Sequence, residues 1–196
     1  MFKSISACLS AVVLLSGCVV GQQINMEYKP APKAIAENGS KVKALVTDER
    51  AEVKSGKKEQ WFIGTYRGSF GNTFDVSNYE KRPLVEQISQ DLKEELKSLG
   101  FTEATGVQGQ KTLGVQIREW SFDGYANGEF WYSLHVSVID QAGKSLYDKN
   151  LTDRKTVTGT VMGAAKGGFE RDMPGLYNSM IHTIVRNNKE LLDALK

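Results

Sequence analysis

Phe130, Tyr132, Leu134, Val136 and Val138 alternate with Trp131, Ser133, His135 and Ser137 along one uninterrupted stretch. A period of two is the signature of a strand with one buried and one more exposed face, since successive side chains leave a pleated backbone on opposite sides. A strand of an all-parallel sheet, covered on both faces, would be apolar at nearly every position. This stretch therefore demands an antiparallel neighbour, and the flanks supply two. Asp140-Gln141-Ala142-Gly143 is a hairpin turn into a strand over 144–157, and Asp123-Gly124 with Asn127-Gly128 marks the turn on the other side. In the preceding strand Leu113, Val115 and Ile117 alternate, but Trp120 and Phe122 fall one position out of step. A bulge or face change near Arg118 restores the parity.

Helical spacing replaces this alternation in two places. Leu84, Ile88, Leu92 and Leu96, with Val85 and Leu99 beside them, recur at the helical period after Pro83 and before Gly100, the expected left-handed cap. Phe101 packs back on this helix, and Gln87, Gln90, Asp91, Lys93, Glu94 and Lys97 supply its polar face. A final helix is expected over about 172–194, with Met173, Leu176, Tyr177, Met180, Ile181, Ile184, Val185, Leu191, Leu192 and Leu195 on one stripe. Two earlier strands, 42–47 and 61–66, are separated by the charged stretch 48–60, which the sequence predicts as a loop. The glycine-rich stretch 159–168 is predicted as another loop, with a glycine-packed contact to a second chain as an alternative. The order is ββαβββα, an α+β fold: an antiparallel sheet of about five strands with two helices on one face.

The first seventeen residues have a different character. Lys3 precedes an apolar run through Ala7, Leu9, Ala11, Val12, Val13, Leu14 and Leu15, which closes on Ser16 and Gly17. That is secretory leader architecture, and the run is too short to remain as a spanning helix. Leu15-Ser16-Gly17-Cys18 resembles the lipobox of bacterial lipoproteins. The resemblance implies cleavage between Gly17 and Cys18 and attachment of acyl chains such as palmitate to the cysteine, which then anchors the chain stably. Val19 in the next position implies the outer membrane, facing the periplasm, where an aspartate would imply inner-membrane retention. Cys8 leaves with the leader, and Cys18 is blocked by lipid. No disulfide, cysteine metal site or free thiol is then expected.

The expected organisation is a signal peptide over 1–17, a lipidated flexible tether over 18–40 and one domain over 41–196. Pro30 and Pro32 favour extended backbone in the tether, which could reach about 70 Å at ~3.3 Å per residue. Ile24 and Tyr28 are the tether residues with an apolar surface to place on the domain. The chain has 25 basic and 23 acidic residues, a balance that offers no electrostatic footprint for nucleic acid.

Candidate chemistry is sparse. His135 and His182 lack spaced partners, so structural or solvent roles are expected for both, and no metal or cofactor is implied. Gly64 to Gly71 is glycine-rich, but the next helix begins a dozen residues later, where a phosphate loop would enter it directly. Glu94-Glu95 and the pair Glu119 and Asp123 are expected on solvated surface, as are Lys57-Lys58 and Lys81-Arg82. The aromatic group Trp120, Phe122, Tyr125, Phe130, Trp131 and Tyr132 stands out. Phe130 and Tyr132 share the core parity, whereas Trp131 takes the other face. Trp131, Tyr125 and Trp120 are the candidate partner surface, because aromatic residues dominate binding hot spots.

Beyond the lipobox, the chain resembles the YajG-type family of bacterial lipoproteins. The resemblance rests on Thr47-Asp48-Glu49-Arg50, on Ile63-Gly64 with Arg67 and Phe70-Gly71-Asn72, on Leu99-Gly100-Phe101, and on Leu113-Gly114-Val115-Gln116-Ile117. It implies no catalytic residues. The expected function is a non-enzymatic binding or scaffold module of the cell envelope with another envelope protein as partner. The alternative is a carrier of lipid or another apolar ligand between sheet and helices.

Overall fold

The computed structural model describes residues 22–30, 32, 39–67, 72–105, 110–124, 128–157 and 165–196, with backbone alone for Arg67, Gly124 and 165–169. The anticipated alternation becomes the centre of a long meander. Strands β6 (Gln110–Gly124), β7 (Gly128–Ile139) and β8 (Ser145–Val157) pair antiparallel in sequence, and buried and half-exposed positions alternate along β7 from Gly128 to Val138. The β6–β7 register shifts between Ile117 and Glu119. Trp120 and Phe122 thereby join Leu113, Val115 and Ile117 on the buried face, the parity correction anticipated near Arg118.

The remaining strands correct the expectation of an all-antiparallel, five-stranded sheet. Strand β2 (Lys41–Asp48) runs parallel to the first half of β6, from Lys41 opposite Gln110 to Asp48 opposite Ile117. Strand β3 (Phe62–Arg67) takes the same edge of β6 further along, with Thr65 opposite Asp123 and Tyr66 opposite Gly124. Strand β4 (Thr73–Asn78) forms a hairpin with β3, β1 (Gln22–Ile24) lies parallel to β4, and β5 (Thr102–Glu103) lies parallel to β2. The curled sheet thus has eight strands in mixed orientation. Helix α2 (Leu84–Ser98) carries the chain back to the starting end of β2, and a crossover of that kind yields parallel neighbours. Strands β1 and β5 are too short to leave a periodic trace in the sequence.

Helix α2 ends as anticipated. Gly100 has φ of 87°, and its amide and that of Phe101 donate to Lys97 and Leu96 at 3.1 and 3.0 Å. Phe101 is buried beside Leu96 and Leu99 in the core. The stretch 48–60 contains one helical turn, α1 (Ala51–Lys54). The single helix expected over 172–194 is two, α3 (Ala165–Ile184) and α4 (Lys189–Leu195). Asn188 breaks them apart because its side chain accepts from the Leu191 amide, capping a new helix. The stretch 159–168 is helical from Ala165 onward, and 159–164 lie outside the described residues.

The buried face of the sheet packs against α2, α3 and α4. Trp120 sits edge-on to Phe130 and Tyr177, with ring centroids 5.1 and 6.1 Å apart, and Ile63, Leu113, Leu134, Ile181 and Leu191 complete a continuous apolar interior. Residues 22–30 belong to this body. Ile24 and Met26 are fully buried, so the segment expected to be a free tether is docked from Gln22 to Lys29.

Candidate functional site

The outer face of β6, β7 and β8 carries the residues of opposite parity. Ser121, Asp123, Glu129, Trp131, Ser133, His135, Ser137, Asp148, Asn150, Thr152 and Arg154 line it, and Trp131 is the single aromatic ring among them. Trp131 is half-buried opposite Arg154, whose guanidinium lies 5.2 Å from the ring centroid. Such a cation–ring contact is worth about 0.5–1 kcal/mol at an exposed site. Arg154 is also drawn to Glu129, Nε to Oε2 3.9 Å. An open depression beside the ring is lined by Glu119, Trp131, Ser133, Thr152 and Arg154. It offers a flat apolar plate, a guanidinium, a carboxylate and two hydroxyls within one patch. A protein surface with an aromatic or peptide group of its own can use all of these.

Strand β8 continues this face to an edge. Among the described residues it pairs with β7 alone, so its outer backbone groups are open to a further strand. Asp148, Lys149, Asp153, Arg154 and Lys155 place charge along that edge, a common device against indiscriminate strand addition.

Of the three candidate partner residues, only Trp131 is found on a surface. Trp120 is 1% exposed, because the bulge after Ile117 turns it into the core, and this corrects its assignment to the partner surface. Tyr125 lies outside the described residues, as do Gly17, Cys18 and the Phe70-Gly71 portion of the sequence resemblance.

His135 shares the outer face, and its Nε2 lies 2.9 Å from Asp148 Oδ1, while Nδ1 is buried without a hydrogen-bond partner. Ser133 and Ser137 flank it in the strand, but a nucleophile, its base and an orienting group need mutual hydrogen bonds, and no such bond to His135 is formed here by either serine. His182 stands in α3 with its ring 6.1 Å from that of Tyr28. Among the described residues no three histidine, cysteine or acidic side chains gather as a metal site would require, and no helix is long and apolar enough to cross a membrane.

A second polar constellation was not anticipated. Gln87, Asp91 and Glu95 of α2 are buried, whereas Gln87 and Asp91 had been assigned to its polar face and Glu95 to solvated surface. Residues 26–30 and α3 cover them. Gln87 donates to the Met26 carbonyl at 2.6 Å and accepts from Asn78 at 2.6 Å, and Tyr177 donates to Asp91 at 2.5 Å. Glu95 accepts from Tyr28, from Arg186 at 2.5 Å and from Ser98 at 3.1 Å. Burial pushes the Asp91 carboxyl up to about 6 despite the Tyr177 hydrogen bond and the Arg82 charge. Burial pushes Glu95 the same way, but the hydrogen bonds from Arg186, Tyr28 and Ser98 outweigh it and hold Glu95 below the ordinary carboxylate range. The spacing 87, 91, 95 is one helical face and was readable. What it faces was not.

The motif Asp48-Glu49-Arg50 is structural. Arg50 is 0% exposed and binds Asp48 through Nε at 2.9 Å and Nη2 at 2.7 Å, while Nη1 donates to the Phe62 carbonyl at 2.6 Å. It fastens the end of β2 to the start of β3.

A scan against protein-family models finds no match, and no curated protein matches either. The YajG-type resemblance therefore gains no support beyond its motifs. Solved structures do match. Protein XCC0632 from Xanthomonas campestris, a DUF330 protein, is similar at a TM-score of 0.54 with 11% identity, over 87% of this chain and 99% of that one. A protein described as uncharacterized follows at 0.52 with 14% identity, over 85% and 98%. Lipoprotein GNA1162 from Neisseria meningitidis is a looser match at 0.33 with 13% identity, over 76% and 98%. The first two likenesses establish a shared α+β fold, reached by sequences that have little in common.

Proposed function

We propose that this chain is a lipid-anchored, non-enzymatic module of the bacterial cell envelope that binds another envelope protein through the outer face of β6–β8. Its address is the leader and the Leu15-Ser16-Gly17-Cys18 lipobox, with Cys18 carrying the lipid and Val19 directing it to the periplasmic side of the outer membrane. The observation that carries the binding role is Trp131, a large ring on an otherwise polar sheet face, braced by Arg154 and next to an open depression and an unpaired strand edge. Burying an aromatic ring and its stacked guanidinium in an interface contributes far more than burying the serines and threonines around them.

The carrier alternative requires space between sheet and helices. Among the described residues that region is filled by a continuous core that includes Trp120, Tyr177, Leu113 and Ile181, each at most 1% exposed. The depression beside Trp131 opens on the opposite face of the sheet.

The test is crosslinking in intact envelopes followed by affinity capture of the wild type and Trp131→Ala. The wild type should capture one reproducible protein partner. Trp131→Ala should lose it while melting within about 1 kcal/mol of the wild type, as a half-exposed position allows. Equal capture by the variant, or no reproducible partner for the wild type, contradicts the proposal.

A further inference from the structure

We infer that the β3–β4 hairpin end of the sheet rests against the lipid headgroups of the membrane, held there by a leash only three residues long. This rests on the proposed lipid at Cys18. Strand β1 begins at Gln22, paired with Val76, so only Val19, Val20 and Gly21 separate the lipidated residue from backbone fixed in the fold. Four residue steps from Gln22 to Cys18 reach about 14 Å when fully extended. Because β1 is parallel to β4, the N-terminal end of β1 faces the end of the sheet where Thr73 begins β4, three strand steps and about 10 Å from Val76. A fully extended leash clears the end of the sheet by roughly 4 Å, about one residue. The domain thus cannot stand off the bilayer as a tether free over 18–40 would allow.

The register gathers other strand ends at the same level. Tyr66 lies opposite both Phe74 and Gly124, and Gly128 lies opposite Val157, so β3, β6 and β8 finish where β4 and β7 begin. The rings of Tyr66 and Phe74 stack there at 5.1 Å. Paired aromatic rings at the end of a sheet suit the headgroup region. The far hairpin, by contrast, is Asp140-Gln141-Ala142-Gly143-Lys144. It stands about 40 Å away along β7. Trp131 lies only three residues from Gly128, which places the proposed partner face within about 10 Å of the membrane-facing end and selects a partner at the membrane surface.

The experiment uses the full lipidated chain in vesicles of phosphatidylethanolamine and phosphatidylglycerol containing headgroup-quencher lipids. Since Cys18 is blocked, Thr73→Cys and Ala142→Cys each give one labelling site for a fluorophore; both positions are exposed. Label at 73 should lose most of its emission and label at 142 none. A long Gly/Ser insertion after Gly21 should relieve the quenching at 73. Equal quenching at both positions, quenching at neither, or quenching that survives the insertion overturns the inference. Mass measurement beforehand separates the two claims: a chain without acyl groups on Cys18 refutes the anchor itself, and an acylated chain with unquenched Thr73→Cys refutes the close contact.

Discussion

Phe122 occupies the place that a side chain on Gly64 would need. A Cβ there would fall 2.3 Å from the Phe122 carbonyl oxygen and 2.4 Å from its Cβ, and the β3–β4 register shifts at this point. Backbone, not a pliant side chain, is in the way, so Gly64→Ala must push β3 off β6. It should cost more than about 2 kcal/mol in urea denaturation, beyond the ordinary range for a surface-strand substitution. Melting unchanged from the wild type would refute this packing. In sequence Gly64 belongs to a glycine-rich run, and the reason for it lies 58 positions away in a strand that no local pattern brings alongside. Arg50 is similar. Its charge suggested surface, but a bidentate partner two residues earlier and a carbonyl on β3 make burial tolerable, and removing one member of such a pair typically costs about 3–5 kcal/mol. By comparison, Gly100 was fully legible, because a helix cap is determined by its own neighbours.

At the scale of elements, α2 shows what periodicity reveals and what it leaves out. Its apolar stripe and both ends follow from the sequence. Its second buried stripe, Gln87, Asp91 and Glu95, looks like solvent-facing helix until residues 26–30 and α3 are laid over it. The two carboxyls make opposite demands on pH. Asp91, raised from 3.8 to about 6, binds its proton more tightly in the folded state. Its contribution to stability is full below pH 4 and is lost as pH rises through 6. Glu95, held below its ordinary value, contributes above pH 4.5 and loses that contribution as pH falls through its lowered folded value. Between them these two carboxyls should therefore make stability greatest at about pH 4, where the gain from Glu95 and the loss from Asp91 balance. Asp91→Asn should abolish the decline between pH 5 and 7.5, which is on the order of 1 kcal/mol because only the part of the shift between pH 5 and about 6 is lost in that window. Scanning calorimetry of both proteins at the two pH values checks it. A wild type that is no less stable at pH 7.5, or a variant that declines equally, contradicts the assignment.

For the whole molecule, the meander β6–β7–β8 was legible because alternation and hairpin turns are local. The parallel pairing of β2 with β6 was not, since nothing within either strand names a partner reached through a helix. The same alternation separates Trp131 from Phe130 and Tyr132, and Trp131 stands half-buried on the outer face while the other two are buried. Trp120 belongs to the core, as the parity shift near Arg118 already implies, and not with Trp131 on the partner surface. The resulting molecule has helices over one side of a curled sheet and a polar, half-exposed other side on which one tryptophan is prominent. Site-specific photo-crosslinking in living cells tests the central claim most directly. A benzophenone amino acid at Thr152, exposed on β8 at the rim of the depression, should give one adduct of defined mass, and the same group at Glu94 on the helical side should give none. An adduct from Glu94 with none from Thr152, or no adduct from either, would contradict the proposal that the outer face of β6–β8 is where this protein meets its partner.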